Sequence, residues 1–297
     1  MKRIIDLHIH TNLSDGVLSP LEVIDEAVKS NVSVIGIADH DTIDAYTDEL
    51  YDYAKIKGVE IINAVEISTK YKGIGIHVLG YNFDVNNKRL RERLEVLRNA
   101  RHDYLHNVCC KLNELGYVLN VDELDKIDVV TKAHIADDVI NNLDNHNLLL
   151  EKFKEIPNRG KFIETIMNEG CPAYVKKETI SPKEATDLIR GALGKVVLAH
   201  PVSYFYEDNL SDEDILELVR EMKSDGIEAN YLYVSKDNIK INEIDKWNDF
   251  ADKYNLNVTV GSDFHCKSKV HPDIGLINEN LILRDEMIDN IINWLKN

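Results

Sequence analysis

Short apolar runs recur along this chain, most of them ending abruptly in a histidine or a carboxylate, with stretches of helical spacing between them. The strand-like runs are residues 3–8, 32–38, 59–67, 74–81, 195–200, 227–231 and 257–263. Between them, residues 20–30 place Leu21, Ile24 and Val28 at helical spacing behind Ser19, a capping residue. Residues 44–57, 182–193, 212–224 and 243–254 also read as helices. Such alternation predicts an α/β fold with a parallel sheet or barrel. Residues 86–177 break the pattern: they are mainly helical, with long charged faces such as 88–115, and read as an inserted cap domain. The expected organisation is therefore a catalytic barrel from residues 1–85 and 178–297, with a helical insert at 86–177.

The polar residues at the run ends are unusual in kind. They are His8 and His10, His40, Glu66, His77, His200, Asp263 and His265. In parallel barrels this is where sites are built, by the loops that follow the strands. Seven of the 11 histidines fall at such places or in the equivalent segment around His134, which is hard to ascribe to chance.

The chain of 297 residues is 44% hydrophobic and 29% charged, enough for one large barrel or two ordinary domains with a sizeable core. No apolar run approaches the roughly 20 residues of a membrane span. The opening Met1-Lys2-Arg3-Ile4-Ile5-Asp6 is broken too soon by charge for a signal peptide, so a cytoplasmic location is expected, without a membrane partner. Cys109, Cys110, Cys171 and Cys266 show no CxxC spacing and read as free thiols. A net charge of −17 leaves no basic face for duplex DNA. An anionic substrate can still be met by a local cationic centre, and bound metals are the obvious source.

Taken singly, the candidate ligands are modest signals. His8 and His10, at i and i+2, share a strand face, so both imidazoles can meet one ion. Asp15 follows in a polar loop, where a turn or cap aspartate is the alternative. His40 lies between Asp39 and Asp41, which can orient its second nitrogen or, with Thr42, cap a helix. Glu66 ends an apolar run, and a carboxylate, unlike imidazole, can bridge two cations. His77 stands inside an apolar run, where a satisfied core histidine is the alternative. Asp263 and His265 repeat the i, i+2 geometry. Together these residues supply mixed nitrogen and oxygen donors for more than one ion.

Asp6-Leu7-His8-Ile9-His10-Thr11, Ser14-Asp15-Gly16 and Ala38-Asp39-His40-Asp41-Thr42 resemble the opening motifs of the PHP (polymerase and histidinol phosphatase) family. Glu66-Ile67-Ser68, the segment from Gly75 to Tyr81, Leu198-Ala199-His200-Pro201 and Gly261-Ser262-Asp263-Phe264-His265 match its later motifs in order. More narrowly, the chain is similar to the PHP phosphoesterases with a helical insert, including those acting on nucleoside 3′,5′-bisphosphates and RNA 5′ ends. The resemblance implies a distorted (βα)7 TIM-like barrel with two or three divalent ions, Mn, Fe or Zn, with Mn favoured. His8, His10, Glu66 and Asp263 would hold one ion. Glu66, His77 and His134, the last facing the barrel site from the insert, would hold a second. Asp15, His40 and His265 would hold a third. The subfamily usually has Arg-Pro before the insert histidine; here Lys132 and Ala133 stand there, and lysine offers a point charge where arginine offers a bidentate fork.

The expected reaction is hydrolysis of a phosphate ester by a hydroxide held between metals, on a nucleoside 3′,5′-bisphosphate or a short 5′-phosphorylated RNA. Glu66 and His200 are the catalytic candidates, with His200 contacting the phosphoryl group or protonating the leaving oxygen. Arg101, Lys132 and Lys176, with His200, are the candidates for binding substrate phosphates. The alternatives are a histidinol-phosphate-type or other small phosphomonoesterase, hydrolysis of a C–N or C–O bond, and a non-catalytic metal-bearing regulatory module.

Overall fold

The computed structural model describes residues 3–124, 130–176, 178–235, 238–268, 271–276 and 283–297, without the side chains of residues 101 and 102. Arg101, named above for substrate phosphates, thus has its side chain outside the described residues. The chain divides into two units, Met1–Glu95 with Thr179–Asn297, and Val96–Glu178.

In the first unit, β-branched runs form the strands expected of them. β1 (Ile4–Ile9), β2 (Val32–Ile37) and β3 (Glu60–Ile61) make a parallel sheet in that order. A second sheet has the order β10-β7-β6-β5-β4, from β4 (Ala64–Tyr71), β5 (Ile74–Tyr81), β6 (Lys195–Leu198), β7 (Gly226–Asn230) and β10 (Asn257–Val260). β8 (Tyr233–Val234) and β9 (Lys240–Ile241) form a small hairpin. Helices Pro20–Lys29, Asp48–Lys57, Pro182–Gly191, Asp212–Met222 and Ile244–Tyr254 separate the strands. Ser19 caps the first of these in a capping box with Glu22.

The sheets are not wholly parallel, contrary to the simple alternation. β5 runs antiparallel to both β4 and β6. The link between β4 and β5 is only Lys72-Gly73, both at positive φ (46° and 92°), and so short a turn can join only antiparallel neighbours. The expected strand at 59–67 is broken into β3 and β4, and the helix expected from residue 44 starts at Asp48 behind the cap Thr47. Helices Pro201–Glu207 and Asp285–Lys296 and the β8–β9 hairpin lie outside the expected elements, although Ile288, Ile291, Ile292 and Leu295 recur at helical spacing in the second helix.

Isolated parallel bridges lie at the sheet edges: Ile9 pairs with Phe264 and His40 with Glu66. Around them His10 N–H donates to Phe264 O, Asp263 N–H to His8 O and Asp41 N–H to Glu66 O, each at 2.9 Å. These main-chain bonds place the motif residues of different strands side by side. The core beneath them is apolar, with Leu7, Val34, Ala64, Leu79, Val197 and Val260 fully buried.

The second unit is helical, as the charged amphipathic segments predict. Its helices include Lys132–Asn141 and His146–Phe153, and Leu105, Val108, Leu112, Ile135, Val139 and Phe162 close its own core. Buried Asn145 has its amide satisfied: Oδ1 accepts Val118 N–H at 2.7 Å, while the amide N donates to the carbonyls of Val118 and Val139. Among the described residues no helix is long and apolar enough to cross a membrane.

Candidate metal centre

The strands end where their last residues turn toward a common point. β6 stops at Leu198 and β10 at Val260, shorter than the apolar runs suggested. Beyond them His200 has φ 25° and Asp263 φ 54°, left-handed conformations uncommon outside glycine. Both residues leave the extended path to aim side chains inward.

Glu66 is the centre of the arrangement and 1% exposed. Its Oε2 lies 3.3 Å from His8 Nε2, 3.3 Å from His10 Nε2 and 3.2 Å from His40 Nδ1. Its Oε1 lies 3.0 Å from both His77 Nδ1 and His200 Nε2. Asp263 Oδ1 is 3.3 Å from His8 Nε2 and 3.0 Å from His10 Nε2. Asp15 reaches His10 and His265 at 3.3 Å and His40 at 3.6 Å. Among the described residues three overlapping donor groups result: His8, His10, Glu66 and Asp263; His40, Glu66 and His77; and His10, Asp15, His40 and His265. Within each, the ligand atoms lie within 4.8 Å of one another. His10 thus joins the third group as well as the first.

The donor set suits a divalent cation. Among the described residues the buried Nδ1 atoms of His40 and His77 have no hydrogen-bond partner, though each faces a Glu66 oxygen, and a buried polar atom left so asks for one. The charges agree. Burial alone would raise the Glu66 carboxyl, but the imidazoles of His40, His77 and His8 hold it well below its ordinary range. Asp263 is held low in the same way by His8, His265 and His10, and Asp15 by His10 and His265. Burial pulls His8 and His10 down, yet the surrounding carboxylates lift both well above the usual imidazole value. Burial, with His10 and His77 beside it, keeps His40 well below. Without ions the carboxylates are answered by protons on imidazoles; a cation among the same donors answers them without protons.

Two further carboxylates hold the motifs in place. Asp6, fully buried, accepts Ser262 N–H and Oγ–H at 3.0 and 2.6 Å and Gly275 N–H at 2.8 Å, tying β1 to the segment bearing Asp263. Asp39 accepts from Thr11 N–H, Thr11 Oγ1 and Ser14 Oγ at 2.6–2.7 Å, tying the end of β2 to the loop bearing Asp15.

The cluster opens into a cleft of about 420 Å³ whose walls include His77, His200, Tyr204, Glu207, Tyr231 and Tyr233. His200 is 7% exposed, with its Nδ1 2.8 Å from Ser203 Oγ. Tyr231 donates to Asp263 Oδ2 at 3.3 Å, and Tyr204 Oη accepts the His77 N–H at 2.8 Å. Burial pushes both phenols well above their ordinary pKa. Tyr204, Tyr231 and Glu228, which lies behind His8, carry no motif. The signal for Glu228 was a lone carboxylate in Gly226-Ile227-Glu228-Ala229, because a fully buried glutamate is rare unless paired.

The remaining expected residues lie in the second unit. His134 is exposed, the third residue of helix Lys132–Asn141, and its Nδ1 accepts the Thr131 N–H at 3.3 Å in a capping box. Lys132 Nζ donates to Asn168 Oδ1 at 2.9 Å, and Lys176 is exposed.

The family model for the PHP domain matches residues 6–164. A 5′-3′ exoribonuclease of Haemophilus influenzae is 32% identical over 265 residues, covering 88% of this chain and 89% of that protein. A 3′,5′-nucleoside bisphosphate phosphatase of Chromobacterium violaceum is 26% identical over 275 residues, covering 91% and 90%. A crystal structure from Bifidobacterium adolescentis aligns with a TM-score of 0.68 at 22% identity, over 98% of this chain and 96% of that one, and shares the mixed α/β fold.

Proposed function

The chain belongs to the PHP domain family and is a metal-dependent phosphoesterase, and from that premise we propose that it hydrolyses a nucleoside 3′,5′-bisphosphate or a short 5′-phosphorylated RNA at the cluster around Glu66. The observation that carries this reading is the single buried carboxylate with His8, His10 and His40 at one oxygen and His77 and His200 at the other. Glu66 belongs to two of the donor groups, as His10 and His40 also do, but only a carboxylate has two donor atoms close enough together to bridge neighbouring ions.

Divalent ions held there would neutralise the phosphoryl oxygens and acidify the attacking water. Glu66, through its two oxygens, ties the groups together. Tyr231 steadies the Asp263 carboxylate from the side away from His10. His200 lines the cleft with its Nδ1 engaged by Ser203 and its Nε2 3.0 Å from Glu66 Oε1; with Glu66 taken up by ions, Nε2 would be free for the phosphoryl group or the leaving oxygen. The bridges Ile9–Phe264 and His40–Glu66 at the sheet edges support reading the two sheets as one distorted barrel, seven-stranded when β3 and β4 count as one interrupted strand, with Glu66 and His77 inside β4 and β5 and the other donors near strand ends.

The choice of substrate rests on the two curated relatives, one named for RNA and the other for a bisphosphate. A net charge of −17 favours a small substrate over a long polyanion, which the field beyond the site would repel. The test is release of phosphate from phosphomonoesters and nucleoside bisphosphates, and of mononucleotides from short 5′-phosphorylated RNAs, by manganese-loaded protein, with amide substrates alongside. Turnover of the amides and of no phosphate ester would overturn the proposal.

A further inference from the structure

Glu228 lies in the middle of β7, 1% exposed, between Ile227 and Ala229, both buried. Its two oxygens are 3.0 and 3.1 Å from His8 Nδ1, and Oε2 also accepts the main-chain N–H of His200 at 3.0 Å. Room for this is made by Gly261. A Cβ there would stand 2.4 Å from Glu228 Oε1 and 2.2 Å from His8 Cβ, closer than atoms tolerate.

We infer that Glu228 is a positioning residue that sets the tautomer and ring orientation of His8 and at the same time holds the backbone of His200. The inference rests on the reading of His8 as a metal ligand. A proton on His8 Nδ1, donated to Glu228, leaves the Nε2 lone pair facing Glu66 Oε2 and Asp263 Oδ1, both 3.3 Å away, where an ion would sit. His200, at φ 25° and ψ 61°, keeps a sparsely populated backbone conformation that persists only where its surroundings over-determine it. The bond from its N–H to Glu228 is one such restraint, and the Ser203 Oγ bond to its carbonyl at 2.8 Å is another. One carboxylate thereby aligns a metal ligand on β1 with the histidine after β6.

A carboxylate accepts from both donors at once. A glutamine in its place has the same shape but turns an NH2 group toward one of them. Facing His8 Nδ1, that group favours the tautomer with its proton on Nε2, where the ion would bind.

The test is titration of Mn²⁺ into metal-stripped wild type, Glu228→Gln and Glu228→Asp, the last keeping the charge but losing reach. Both variants are expected to bind Mn²⁺ about 10–100-fold more weakly, with far-UV circular dichroism unchanged. Binding by both within about twofold of wild type overturns the inference alone; wild type that takes up no Mn²⁺ overturns the metal-centre reading with it. In a His8→Ala background, Glu228→Gln is expected to add little further loss, because its effect passes through the missing ring. Full additivity would show that Glu228 acts on the fold and not through His8. A second measurement needs no variant. In Zn²⁺-loaded wild type, long-range ¹H–¹⁵N correlation is expected to show the His8 proton on Nδ1; a proton on Nε2 overturns the inference.

Discussion

His8 Nε2 and His10 Nε2 face each other at 3.1 Å at the buried end of β1. Two neutral imidazoles cannot present lone pairs to each other so closely without cost, and Glu66 Oε2 and Asp263 Oδ1 approach the same space. A proton on one of the two nitrogens, or a divalent ion among these donors, removes that cost. The alternation of a strand explains the pair: residues i and i+2 point to one face.

Glu66→Ala is expected to lower the metal content by more than one ion per chain, measured by elemental analysis of protein purified with manganese. Activity should fall by roughly 100-fold or more, beyond the usual cost of losing an outer hydrogen-bond partner. Protein that keeps its full metal and activity would remove the bridging role.

His200→Asn is expected to reduce kcat by about 100-fold, at the lower end for a group that moves a proton, while metal content stays at the wild-type level. An ion lost on substitution would make His200 a ligand instead.

Adenosine 3′,5′-bisphosphate is expected to show a higher kcat/KM than the corresponding monophosphates. A charged hydrogen bond to the second phosphate contributes about 1.5–3 kcal/mol, or roughly ten- to a hundredfold. Equal specificity constants would leave a simpler phosphomonoesterase as the better description.

Metal-stripped protein is expected to lose stability as pH rises above neutrality. His8 and His10 are raised above 6.5 by neighbouring carboxylates, so their contribution is full below 6.5 and is lost as pH climbs through the raised values. Glu66 and Asp263 are depressed below 4.5 and 3.8, so theirs is present above those values and lost as pH falls through the depressed ones. His200 is raised like His8 and His10, and His40, held low by burial, acts in the opposite sense but only below 6.5, where the unfolded imidazole takes up its proton. Because Mn²⁺ displaces those protons, its stabilisation should grow with pH. Melting temperatures with and without Mn²⁺ from about pH 5 to about pH 9 measure this, and an increment that shrinks toward alkaline pH would contradict it.

Much of the candidate metal centre was legible because its donor residues interrupt apolar runs. His10, His40, Asp263 and His265 stand just past the apolar strands β1, β2 and β10, and His8 and Glu66 stand inside β1 and β4, where burial makes an unpaired polar residue costly. His77 was ambiguous, since an apolar strand hides a core histidine and a ligand equally well; its 3.0 Å approach to Glu66 is a fact of pairing between β4 and β5. The antiparallel turn at Lys72-Gly73 could have been read from its glycine, but strand alternation elsewhere pointed to parallel pairing. Glu228 went unmarked because nothing near it in the chain repeats its chemistry.

From its residues alone, the chain determined its alternating elements, its helical middle segment and the kinds of donor it carries, because period and residue type are local properties. Tertiary structure decided which donors meet. That His10 serves two groups, that Glu66 divides its oxygens between separate sets of imidazoles, and that Glu228 reaches His8 across 220 positions all depend on strand register and on bridges such as Ile9–Phe264. A shift of one residue would turn each side chain to the opposite face, and no local pattern records the register between strands so far apart in the chain.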